Sequence, residues 1–314
     1  MVQYGTLRLS KNDALCAQVR ETHALYFSKF VNQLEKEFIG GQPQKAMPLF
    51  LADLPNIRLA WEWAVENHNA SVFNDMSDSV MQGFDLAGLY GEALQMAEHA
   101  AGSLEPLPKS AKRETVIARG KVMGLAGAFL FRLGEYGQAM EKCEASMQTL
   151  EKYRPHIAYA HTLVYAGAAQ FGLGDMNAAT QFWERAIREY HAAGSLWGET
   201  TSRNNLAEAL IAAGNLFDAK IHSREALALG QRMNNAELAG SSFINLALIA
   251  LQEGAVSDAA RFAEESLSRF QQSGHDAHIA NSMSILARVA AKHNNAAEAR
   301  RLLEVVEELN GIAD

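Results

Sequence analysis

The sequence predicts an all-α chain: a right-handed superhelical solenoid of about six helical hairpins, preceded by an irregular N-terminal hairpin. Two spacings carry the prediction. Gly134, Gly174, Gly214, Gly254 and Asn294 follow one another at intervals of 40 residues, with Gly88 a further 46 upstream. Ala93, Ala139, Ala179, Ala219, Ala259 and Ala299 each stand 5 residues after these positions. A fixed period in this range marks a repeat array. Glycine, with asparagine as second choice, suits the residue just past a helix C-terminus, where the chain turns through the left-handed region. The small residue beyond it lets a second helix lie close against the first. Size agrees: 314 residues are many for one core, but a stack buries each unit only against its neighbours.

Residues 1–12 are short and mixed. From Asp13 to Phe38, Leu15, Val19, Ala24, Phe27, Phe30, Val31, Leu34 and Phe38 recur at three- and four-residue steps, the spacing of one face of an amphipathic helix. Gly40-Gly41-Gln42-Pro43 stops it. A second helix is expected from about Ala46 to Asn67, with Pro48 tolerated in its first turn and Pro55 ending or kinking it. Leu59, Trp63 and Val65 continue its apolar side. This hairpin occupies residues 1–73 and the repeat array residues 74–314.

In the array, the unit around Gly214 shows the pattern. Trp197, Leu206, Ala207 and Leu210 form one side of helix A, Gly214 closes it, and Leu216, Ala219, Ala226 and Leu229 carry helix B. The next unit repeats this with Phe243, Leu246, Ala247, Ala250, Gly254, Val256, Ala259, Phe262 and Ser266. The longer step from Gly88 to Gly134 is expected as a loop over 102–112, where Pro106 and Pro108 fall. The charged face of Ala296–Asn310 suits a solvated terminal repeat. This small–large order resembles the tetratricopeptide repeat, although a period of 40 exceeds that family's usual 34. The additional residues fall at helix ends and in the loops 231–235 and 272–276.

A second resemblance lies upstream, in Val2-Gln3-Tyr4-Gly5 through Leu9, in Glu21-Thr22-His23-Ala24-Leu25-Tyr26-Phe27, and in Leu54-Pro55-Asn56-Ile57-Arg58-Leu59-Ala60-Trp61-Glu62-Trp63-Ala64. Together these resemble the segment that joins the winged helix to the C-terminal repeats in bacterial STAND regulators, the signal-transduction ATPases with numerous domains. Pro55 departs from that pattern, which has an acidic residue there. The resemblance implies that Met1 opens a fragment whose ATPase module lies upstream.

Enzyme chemistry is not expected, and no cofactor. The chain has no phosphate loop, since Lys109-Ser110 lacks the glycines that surround a phosphate; Gly-x-Ser-x-Gly, His-Glu-x-x-His and paired-cysteine motifs are absent too. His275 and His278 have no carboxylate or cysteine pattern to complete a metal site. A net charge of −8 argues against nucleic-acid binding. No apolar run approaches a membrane span. Cys16 and Cys143, without a secretory leader, read as reduced cytoplasmic thiols.

Function is therefore expected on the surface. The tetratricopeptide resemblance implies that A helices line a concave wall. It places Asp75, Asp78, Gln82 and Asp85 on that wall, then Lys121, Phe131 and Arg132, then His161, Val164, Tyr165 and Phe171. Thr201, Asn204, Asn205 and Glu208 follow, then Ile244, Asn245, Leu248, Leu251 and Gln252, and finally Asn281, Arg288 and Lys292. The wall reads as acidic at one end, aromatic in the middle and weakly basic at the other. Asn205 and Asn245 share a register, and amides that donate and accept suit an extended peptide backbone. The alternative is that these amides bridge neighbouring A helices. Tyr165 and Phe171 either pack between repeats or form a ligand platform. Arg203 stands where Met123, Leu163, Phe243 and Met283 are apolar, and an unpartnered charge there is expensive. Either helix A rotates locally, or Arg203 pairs with Glu184, Glu189 or Glu208, or it meets a ligand carboxylate or phosphate. Two classes remain open. One is the effector-sensing region of a larger regulator, taking a peptide, protein or small molecule; the other is a scaffold that holds partners or self-associates.

Overall fold

The computed structural model describes residues 12–40, 43–273 and 276–311. Val2–Leu9 of the upstream motif and His275 lie outside them. The described residues form fifteen α-helices and no strand. The N-terminal ones are α1 (Asp13–Ile39), α2 (Pro43–Ala52) and α3 (Leu54–Glu66). Six hairpins follow: α4 (Ala70–Leu86) with α5 (Tyr90–Ser103), α6 (Arg113–Arg132) with α7 (Tyr136–Leu150), and α8 (Ile157–Gly172) with α9 (Met176–Ala193). Next come α10 (Leu196–Ala212) with α11 (Leu216–Arg232), α12 (Ala236–Gln252) with α13 (Val256–Ser273), and α14 (Asp276–Lys292) with α15 (Ala296–Gly311).

All six predicted corners have positive φ: Gly88 (69°), Gly134 (80°), Gly174 (87°), Gly214 (78°), Gly254 (78°) and Asn294 (57°). Each closes its A helix with the bond that spans the left-handed residue. Examples are Asp175 N–H to Gln170 C=O at 2.9 Å and Asn215 N–H to Leu210 C=O at 2.8 Å. The linker before α6 falls at 104–112, as the prolines require. Upstream, of the two expected outcomes at Pro55 the break is found, and the stretch is two helices. Pro55 is the second residue of α3, where its missing N–H is no loss, so it starts a helix instead of bending one. Leu15, Val19 and Leu59 lie outside the apolar interior, with exposures of 46, 42 and 53%.

The chain packs as two compact units. The first comprises the described residues up to Phe38 with Lys45–Arg154; the second comprises those from Pro155 onward with those of Ile39–Gln44. The core of the first is aromatic. Phe50 contacts Phe38 and Phe84 edge-on, at 6.2 and 5.7 Å between centroids, and Trp61 donates to the Met96 carbonyl at 2.9 Å. In two hairpins a glycine of helix A admits a helix B side chain at close range. A Cβ on Gly127 would come within 2.7 Å of Cys143 Sγ, and one on Gly167 within 2.7–2.9 Å of the Trp183 indole. At the same register, Ala207 and Ala247 stand with Ser223 and Ala263, all fully buried. Gly167 therefore leaves room for the largest of these helix B residues, the Trp183 indole, which an added Cβ would strike.

Candidate functional site

In the second unit, A helices of successive hairpins touch (α8 with α10, α10 with α12, α12 with α14), while successive B helices touch far less. The A helices therefore form this unit's inner wall. His161 and Tyr165 of α8 are half-buried on it. The His161 ring meets Tyr190 at 5.6 Å and Trp197 of α10 edge-on at 6.3 Å. The apolar pattern of the sequence puts Trp197 on the packing side of α10, and the structure does not. The indole is half-buried beside His161, and the signal was available: Trp197, Thr201, Asn205 and Glu208 follow one another at helical steps along one face.

The asparagines divide. Asn204 is buried at 6% exposure, and its amide donates to the Leu238 carbonyl at 3.3 Å and accepts from Ser242 Oγ at 2.9 Å. Asn245, also at 6%, donates to the Asn204 carbonyl at 3.1 Å. These two amides tie α10 to α12. Asn205 is half-buried and makes no hydrogen bond through its amide among the described residues. Asn205 and Asn245 thus share a register and differ in what their amides do.

Arg203 is directed at α11. Its guanidinium holds Glu199 (2.8 and 3.1 Å), meets His222 Nδ1 at 3.4 Å and pairs with Glu225. Glu199, only 5% exposed, also meets His191 Nδ1 at 3.1 Å. The partners are not the three glutamates expected from sequence, but the principle of internal pairing holds: a buried charge needs an opposite one. Burial first, and then Arg203, push the His222 imidazole below its usual range, so it stays neutral and accepts from the arginine.

In the first unit, two of the three acidic residues of α4 already have cations. Arg132 pairs with Asp85 at 2.7 Å, and Lys121 with Asp78 at 2.6 Å. In the second unit, Glu208, Arg288 and Lys292 enter no ion pair among the described residues. All three are solvent-exposed, yet protein crowding around Glu208 raises its carboxyl above the usual range through desolvation. On a concave wall a side chain can touch solvent and still have much of its water replaced by protein. No helix among the described residues is long and apolar enough to cross a membrane.

Residues 200–237, from α10 into α12, match the family model of the tetratricopeptide repeat. The hairpin spanning these residues is of tetratricopeptide-repeat type, and the others repeat its helix–corner–helix layout. Solved structures agree on the fold. RapI in its apo form superposes with a TM-score of 0.64 at 15% identity, over 91% of this chain and 97% of that one. The Rap conjugation gene regulator of plasmid pLS20, in complex with the Phr* peptide, gives 0.56 at 14% identity, over 91% and 76%. A STAND protein with a tetratricopeptide repeat sensor from Pyrococcus horikoshii gives 0.52 at 14% identity, over 84% of this chain and 43% of that one. A comparison with curated protein sequences finds no significant match.

Proposed function

We propose that the inner wall of the second unit binds a short extended peptide, or an extended segment of a protein partner, and performs no catalysis. The observation that carries this reading is Asn205, an amide with its donors and acceptor uncommitted, between the His161–Trp197 edge and Glu208. Such a group bonds to a peptide backbone whatever its side chains, while the aromatic edges supply apolar contact. The Rap regulator's complex with a peptide supports the reading, as a precedent on the same fold.

The likeness to the Pyrococcus horikoshii STAND protein, together with the upstream motif, supports a role as the effector-sensing array, residues 74–314, of a cytoplasmic regulator with an ATPase module. A peptide that binds one curvature of the array better than another shifts the population between them. The test is selection from a displayed random heptapeptide library, followed by fluorescence anisotropy on the selected peptides. Asn205→Ala should weaken them about tenfold, worth about 1.4 kcal/mol, with helical circular dichroism and melting unchanged. Asn204→Ala should lower the melting temperature instead. Failure to enrich any peptide, or enrichment indifferent to Asn205, would overturn the proposal.

A further inference from the structure

One register of the inner wall carries chemistry that changes from repeat to repeat. The positions are Ala168 in α8, Glu208 in α10, Leu248 in α12 and Arg288 in α14, each 40 residues from the last. Because the repeat period is constant, the three latter side chains leave neighbouring A helices at equivalent points and form a line across the wall. Its order is anion, apolar, cation. Glu208 and Arg288 are exposed and without ion-pair partners among the described residues, and Leu248 is half-buried. Two repeats separate the charges, too far to neutralise each other. Wall charges at other registers in the first unit are paired across α4 and α6, so an open pair is not simply what this architecture produces.

The spacing sets a ruler. Packed helices lie about 8–10 Å apart, which places Glu208 and Arg288 roughly 16–20 Å from one another. An extended chain advances about 3.3 Å per residue, so roughly five to six residues span the distance and the midpoint falls at Leu248.

We propose that this line selects an extended peptide with a basic and an acidic side chain about six residues apart and an apolar residue midway between them. The basic group meets Glu208, the apolar residue lies on Leu248, and the acidic group meets Arg288. This rests on the peptide reading above and adds the chemistry of the peptide. The two contacts differ in strength. Glu208 has lost much of its hydration, so a cation beside it interacts through less water than at an open surface. Arg288 sits in freer solvent, where an ion pair changes affinity only a few-fold. Charge complementarity of this kind contributes to discrimination more than to raw affinity.

The test uses four blocked heptapeptides with leucine fourth: lysine first and glutamate seventh, lysine at both ends, glutamate at both ends, and lysine and glutamate only two residues apart. Anisotropy titrations should rank the first tightest, the double-lysine peptide about threefold weaker and the double-glutamate peptide about tenfold weaker. Glu208→Lys, at an exposed position, should make the double-glutamate peptide the tightest and the double-lysine peptide the weakest, with the helical signal intact. Equal binding of all four to the native chain, or an unchanged order in Glu208→Lys, would overturn the inference. Library-selected peptides that need Asn205 but lack the charge pattern would also overturn it, while leaving the peptide reading intact. If no peptide of any kind binds, both fall.

Discussion

Replacing Gly167 by alanine tests the close approach of α8 to the Trp183 indole. Helix propensity alone favours the change by about 1 kcal/mol, since glycine is the poorest helix former after proline. The structure opposes it. The new methyl would stand 2.7–2.9 Å from three indole atoms of Trp183, a side chain 4% exposed that donates from Nε1 to the Val164 carbonyl at 3.1 Å. A buried, hydrogen-bonded ring has no free end to swing away. Overpacking costs about 1–3 kcal/mol, and displacing the indole from its carbonyl adds about 1–3 kcal/mol. The net expectation is a loss of about 1–5 kcal/mol. Trp183→Ser alone should cost about 3–5 kcal/mol through the cavity it leaves. The double variant recreates the Ala207–Ser223 pairing of a later repeat, so it should be at least 1 kcal/mol more stable than the sum of the singles predicts. Urea unfolding followed by circular dichroism, with indole emission as a local probe, measures all three. Repeat arrays need not unfold in two states, so midpoints are compared under one set of conditions. A Gly167→Ala chain as stable as the native one, with unshifted emission, would refute the reasoning.

Two further outcomes follow from ionisable groups. Desolvation raises the Glu208 carboxyl, so its charge opposes folding above its native pKa, and that penalty is absent below the ordinary carboxylate value of about 4.3. Glu208→Gln should therefore raise the melting temperature at about pH 7 and leave it unchanged near pH 4; an equal gain at both would contradict the assignment. Burial pushes the Cys143 thiol up to about 12, and its side chain is fully enclosed, so it stays a thiol at neutral pH and resists alkylation. Mass spectrometry after iodoacetamide treatment should find Cys16 modified in the native chain and Cys143 only after unfolding; early labelling of Cys143 would show that α6 and α7 open readily.

Gly88 to Asn294 could be placed from the sequence because a left-handed corner is a local demand, met by glycine or asparagine whatever surrounds it. Helix existence, hairpin number and the proline-rich linker are local in the same sense. Pro55 was harder: as a sequence signal it marks a boundary, and only the backbone around it shows that the boundary opens α3 instead of ending it. Which positions recur from repeat to repeat was also legible from the period of 40, but the burial of Asn204 and Asn245 was not, and the apolar pattern put Trp197 on the wrong face.

What that register could not supply was the state of each side chain. Asn205 and Asn245 are equivalent by position, yet Asn245 is bonded to the Asn204 carbonyl and Asn205 is not. Arg203 finds its anions at Glu199 and Glu225, and Arg132 is neutralised by Asp85. A local pattern determines backbone turns and faces, since those depend on neighbours in sequence. Hydrogen bonds and ion pairs depend on which residues of other helices arrive alongside, and only the packed structure decides that.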